Sequence, residues 1–109
     1  MKNNKYQPTM NQWPFDQPRN CAVFTTKHVL KEGRDILEVY HDEDDHGWQF
    51  HYGGDIVKED AMVVCLECIV EYDPTVLEVA DIPPGWMAYR EKKGTPWHKQ
   101  KTPDDCPQV

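Results

Sequence analysis

The chain has 109 residues, 39% of them hydrophobic and 28% charged, with a net charge of −7, which is enough for one domain around a single modest core. The acidic balance argues against a general nucleic-acid binder, which needs Lys and Arg to neutralise phosphates, and against docking on an anionic membrane surface. No serine occurs, so every serine-nucleophile mechanism is excluded.

Residues 1–18 are rich in Asn, Gln and Pro and read as a tail or a docked arm, with Trp13 and Phe15 placed to pin it. This stretch has no apolar h-region, and the longest nearly apolar run, residues 61–70, is interrupted by Glu67 and too short to span a bilayer. A cytoplasmic location is therefore expected, with Cys21, Cys65, Cys68 and Cys106 as reduced thiols.

The body starts with CAVFTT at residues 21–26, a β-branched and aromatic run suited to a strand. A turn follows at residues 31–33. Residues 36–41 (ILEVYH) form a second, internal strand. Residues 42–47 form a polar loop. Residues 48–52 then alternate, with Trp48, Phe50 and Tyr52 on one face and Gln49 and His51 on the other. The two strands and their loop predict a hairpin, which Gly53-Gly54 ends.

Further on, a short buried strand is expected near Met62, then a mostly buried helix over about residues 64–72 with Glu67 and Glu71 on one face. Asp73-Pro74 restarts a helix, with Asp as N-cap and Pro at the first helical position, and this helix stops before Pro83-Pro84. Residues 86–90 make a final strand, and residues 91–94 turn into a short segment at 95–97. The expectation is a single α+β domain over residues 19–98. It has an antiparallel sheet of about four to five strands with two short helices on one face, and a C-terminal tail over residues 99–109.

Charge is strongly segregated. Fourteen of the nineteen acids lie in residues 35–81 against one base, Lys58, so this segment carries −13 and the flanks +6. Its densest part is Asp42, Glu43, Asp44 and Asp45. The spacing copies the first half of a calcium loop, but the twelfth position is Gly53 where a bidentate Glu is required, and strands flank it. His41, His46 and His51 recur every five residues, and a hairpin that brought them together would form a transition-metal or small-molecule site. Cys65 and Cys68 form a CxxC inside an apolar run, with no adjacent base. On a helix from residue 64 they share a face with Ile69 and Tyr72, which reads as inert core thiols. No motif implies a cofactor or a catalytic centre.

Several pieces carry a resemblance: Gly47-Trp48-Gln49-Phe50, Tyr72-Asp73-Pro74, and Pro84-Gly85 followed by a strand ending at Arg90. Over roughly residues 22–97 the chain resembles a family of small bacterial proteins of unknown function that is grouped with the immunity-protein-33-like proteins of polymorphic-toxin systems. The resemblance implies a fold and assigns no catalytic residues. With the charge pattern, it makes a small non-enzymatic protein-binding domain the leading expectation, one that inhibits a basic toxin. Asp42, Glu43, Asp44 and Asp45 would form its surface and Trp48 its aromatic anchor. The alternative is a metal- or small-molecule-binding module built on His41, His46 and His51.

Overall fold

Apolar and polar residues alternate in the strand at Trp48–His51, and Gly33, Gly53, Gly85 and Gly94 take positive φ in the connections. The structure is a computed structural model that describes residues 13–103; the expectations for residues 1–12 and 104–109, Cys106 included, lie outside them. In chain order these are β1 (Ala22–Thr26), the single turn α1 (Lys27–Leu30), β2 (Glu38–His41) and β3 (Trp48–His51). A 3-10 turn (Lys58–Asp60), β4 (Ala61–Cys65) and α2 (Leu66–Tyr72) follow. A 3-10 helix (Pro74–Val79), β5 (Trp86–Tyr89) and β6 (His98–Lys101) complete the fold.

All six strands belong to one sheet in the order β4-β1-β3-β2-β5-β6. The fold is α+β, with two departures from the expected sheet. It has six strands, and β1 runs parallel to β3 through the Phe24–Gln49 register, so the sheet is mixed. The hairpin inserts with β3 against β1, which leaves β2 to pair with β5 (Val39 opposite Ala88).

Side chains opposite one another across strands share a face. Val23, Val39, Trp48, Phe50 and Ala88 present one face, and Leu66, Ile69, Val70, Val76 and Val79 close over it in a single cluster joined by Phe15 from the N-terminal arm. Complete burial of each large aliphatic or aromatic side chain contributes about 1.5–3 kcal/mol relative to exposure. Among the described residues, no helix packs on the opposite face. One cross-strand row on it reads Val63, Phe24, Gln49, Tyr40, Met87 and Gln100. Val63 and Phe24 are exposed there, whereas Gln49, Tyr40 and Met87 are buried.

The Asp73-Pro74 restart forms as expected at its start: Asp73 Oδ1 accepts from the Thr75 backbone N–H at 3.0 Å. The element itself is a 3-10 helix, and Asp73 does more than cap it. Its other carboxylate oxygen takes the Arg90 guanidinium at 2.8 Å, with both side chains 1% exposed. Arg90 also donates to the Ile36 carbonyl and the Thr75 hydroxyl, both at 3.0 Å, and lies over the Trp97 ring. A buried charge pair holds only when its remaining donors and acceptors are satisfied, and here the end of β5, the residues before β2 and the 3-10 helix are tied at one point. β6 extends the sheet through residue 101, past the boundary at residue 98 read from the sequence. Among the described residues, no helix is long and apolar enough to cross a membrane.

Candidate functional site

The loop between β2 and β3 carries the four consecutive acids and is held from several sides. Asp42 N–H donates to the Gly47 carbonyl at 2.8 Å, closing the loop. Asp45 Oδ1 accepts from the Gly47 N–H at 2.8 Å, and His46 takes a left-handed conformation with φ 58°. Gln17 reaches in from the arm: its amide N–H donates to the His46 carbonyl at 3.0 Å, and its amide oxygen accepts from the Trp48 indole at 2.8 Å. Glu43, Asp44 and Asp45 are exposed and Asp42 is half-buried.

The carboxylates of this loop are electrostatically unbalanced. Arg19, Lys27, Arg90 and Lys99 pair with Glu67, Asp60, Asp73 and Asp81 respectively. Among the described residues no Lys or Arg pairs with Asp42, Glu43, Asp44 or Asp45. Partial burial pushes the Asp42 carboxyl above the usual carboxylate range; Asp45 and Asp44 push the same way, while the hydrogen bond from Gln49 and nearby His41 oppose it. Beside the loop is a cavity of about 230 Å³ with His41, Asp42, Glu43 and Asp44 on one side and Gly85, Thr102 and Pro103 on the other. Backbone bonds hold the far wall in place: Gly85 N–H donates to the His41 carbonyl, and Thr102 N–H to the Gly85 carbonyl. Gly85 has φ 87°, a backbone conformation that glycine adopts without penalty.

Trp48 is not an anchor for a partner. It is 1% exposed, packs edge-on against Phe15 at 5.1 Å and stacks on His41 at 4.0 Å. The arm covers it, and the sequence pattern at Trp48 does not reveal that cover. The candidate surface is therefore the four acids without Trp48.

The three histidines do not form one site either. His41 pairs with Trp48 in the hairpin and His51 with Glu38, so the two imidazoles lie on opposite faces of the sheet, at opposite ends of the strand pair. Only His46 approaches His41, with ring centres 6.3 Å apart. Among the described residues no group of three His, Cys, Asp or Glu side chains is placed to hold a metal ion. His41 faces the core, where Nδ1 must donate to the Ile82 carbonyl at 2.8 Å because a carbonyl only accepts.

The helix-free face holds a polar chain that the sequence pattern does not show. The Gln49 amide N–H donates to both oxygens of Asp42, at 3.2 and 2.9 Å. That orientation turns the amide oxygen toward His51, whose Nε2 lies 2.9 Å away and therefore carries the proton. His51 is fully buried and its Nδ1 has no partner among the described residues. Burial lowers the His51 pKa to about 4. A second cavity, about 470 Å³, lies on this face between Glu38 and Tyr40 and the segment Gly54, Asp55, Ile56 and Val57.

The CxxC departs most from its sequence reading. α2 starts at Leu66, not at residue 64, so Cys65 is the N-cap and its sulfur accepts from the Cys68 backbone N–H at 3.2 Å. Cys68 is exposed and Cys65 half-buried. Neither is a buried core residue. Cys65 lies opposite Ala22 on the helix-free face.

Comparison with protein-family models, curated proteins and solved structures finds no match to this chain. Gln17, Gln49, Gly85 and Thr102 were the site residues missed from the sequence. Gly85 alone carried a usable signal, as the glycine after Pro83-Pro84.

Proposed function

We propose that this chain is a small non-enzymatic protein-binding domain that engages a basic protein through the acid-rich end of the β2–β3 hairpin, as an immunity-type inhibitor of a toxin with a basic cleft. The observation that carries the reading is the concentration of charge: Asp42, Glu43, Asp44 and Asp45 are four consecutive carboxylates at one end of a hairpin, and none has a Lys or Arg partner among the described residues. Like charges held together repel, and a cationic surface relieves that repulsion on binding. The loop is also ordered in advance by Gln17, Gly47 and the turn at His46, which reduces the entropy lost on association. The 230 Å³ cavity beside Asp42, Glu43 and Asp44 offers room for one long basic side chain to insert.

This reading is tested by association kinetics with the protein it captures. Replacing Asp42, Glu43, Asp44 and Asp45 by Lys should slow association at low salt by roughly ten-fold or more. Raising the salt should slow the wild type toward the same rate. An association rate that ignores both changes would remove the electrostatic basis of the proposal.

A further inference from the structure

We propose that Cys65 and Cys68 form a redox-active dithiol that closes to a disulfide by exchange with small-molecule disulfides of the glutathione class. The inference is independent of the binding function above. It rests on the placement of the two sulfurs at the junction where edge strand β4 runs into α2. Cys65 Sγ and Cys68 Sγ lie 2.6 Å apart, inside the contact distance of two sulfurs and within reach of a bond between them, and the Cys68 backbone N–H points at Cys65 Sγ from 3.2 Å. Cys68 is exposed and Cys65 half-exposed, so a disulfide reagent can reach the pair. Cys21, the third described thiol, bonds to the Ala22 carbonyl and belongs to no such pair.

The surroundings of the two sulfurs set the order of attack. The hydrogen bond to Cys65 holds the Cys68 thiol above its ordinary range, with slight burial and the charge of Glu71 pushing the same way. The Cys68 backbone N–H aimed at Cys65 Sγ supports negative charge on that sulfur, so Cys65 is the sulfur that attacks. In the first step Cys65 thiolate attacks one sulfur of the incoming disulfide. That S–S bond breaks, a mixed disulfide forms on Cys65, and the leaving thiolate takes up the proton that Cys65 gave to solvent. In the second step Cys68 loses its proton and attacks Cys65 Sγ, and the second small thiol departs with that proton. Two electrons and two protons pass from the protein dithiol to the small disulfide, which leaves as two thiols. Because Cys68 is already in contact with Cys65, the second step outruns the arrival of another small molecule, and the mixed disulfide does not accumulate.

The test equilibrates the full chain in buffers of reduced and oxidised glutathione, quenches with acid, alkylates free thiols and maps the peptides by mass spectrometry. The expected result is a Cys65–Cys68 bridge that replaces alkylation of both residues in a single transition, with Cys21 alkylated throughout. The Cys68→Ser variant should lose the bridge and trap glutathione on Cys65. Persistent alkylation of Cys65 and Cys68 in oxidised buffer would overturn the proposal, as would glutathione adducts on the wild type without a bridge. The wild-type result decides the matter even if the variant folds poorly.

Discussion

Acidification should destabilise this fold through His51. Its imidazole is fully buried, and the chain from Asp42 through Gln49 fixes the proton on Nε2. A second proton must go to Nδ1, which has no acceptor among the described residues. Burial holds the folded pKa at about 4 against 6.5 for the free group. Between those values the unfolded chain binds the proton and the folded chain does not. Stability therefore rises with pH through this window, is fully present above pH 6.5, and is lost as pH falls toward 4. Over about 2.5 pH units at 1.36 kcal/mol each, less the half-titration at the lower end, the loss is about 3 kcal/mol. Urea unfolding of the wild type and of His51→Gln at pH 7 and pH 4 isolates this term. Asp42 titrates with the opposite sign, since a raised carboxyl pKa favours the fold as pH drops, but it is common to both proteins. The stability gap between wild type and His51→Gln should shrink by about 3 kcal/mol from pH 7 to pH 4. A gap that changes by less than about 1 kcal/mol would show that His51 is not held neutral in a dry site.

Two further outcomes follow from the packing. Replacing either partner of the buried pair, Asp73→Ala or Arg90→Ala, leaves the other charge buried and uncompensated and should cost about 3–5 kcal/mol in urea unfolding; a loss under 1 kcal/mol would mean that the pair is not desolvated. Trp48→Ala should cost a similar ~3–5 kcal/mol because it empties a core position under Phe15. Trp48→Phe should leave partner association unchanged, whereas slower association with an intact fold would return Trp48 to the binding surface.

The hairpin was legible because its pattern is local. Trp48 and Phe50 alternate with Gln49 and His51, and a polar loop separates them from a β-branched strand. That alternation also predicted the correct faces, yet both faces of β3 are buried, so it did not reveal that His51 is dry or that the arm covers Trp48. The helix restart at Asp73-Pro74 was legible for the same reason, since a cap and a proline carry their signal in adjacent residues. Its second function was not: Arg90 is seventeen residues away, and no local pattern links the two. β6 escaped notice because HKQK has four exposed polar residues and takes its strand form from pairing with β5. The parallel pairing of β1 with β3 is likewise a tertiary choice. For the CxxC, a shift of two residues in the helix start changed where the thiols lie. Placed inside a helix the thiols look like packing, whereas at its N-cap they meet at the surface. Helix boundaries are the least certain feature of a sequence pattern, and here the chemical reading depended on one.

The most direct test of the binding account is a paired capture experiment with the wild-type chain and a variant in which Asp42, Glu43, Asp44 and Asp45 are changed to Asn, Gln, Asn and Asn. Both baits are exposed to the same native lysate and washed at low and then high salt, and the proteins they retain are identified. The account predicts a basic protein held by the wild type, released by salt and missing from the variant. Identical results from the two baits, whether the same proteins or none, would contradict it.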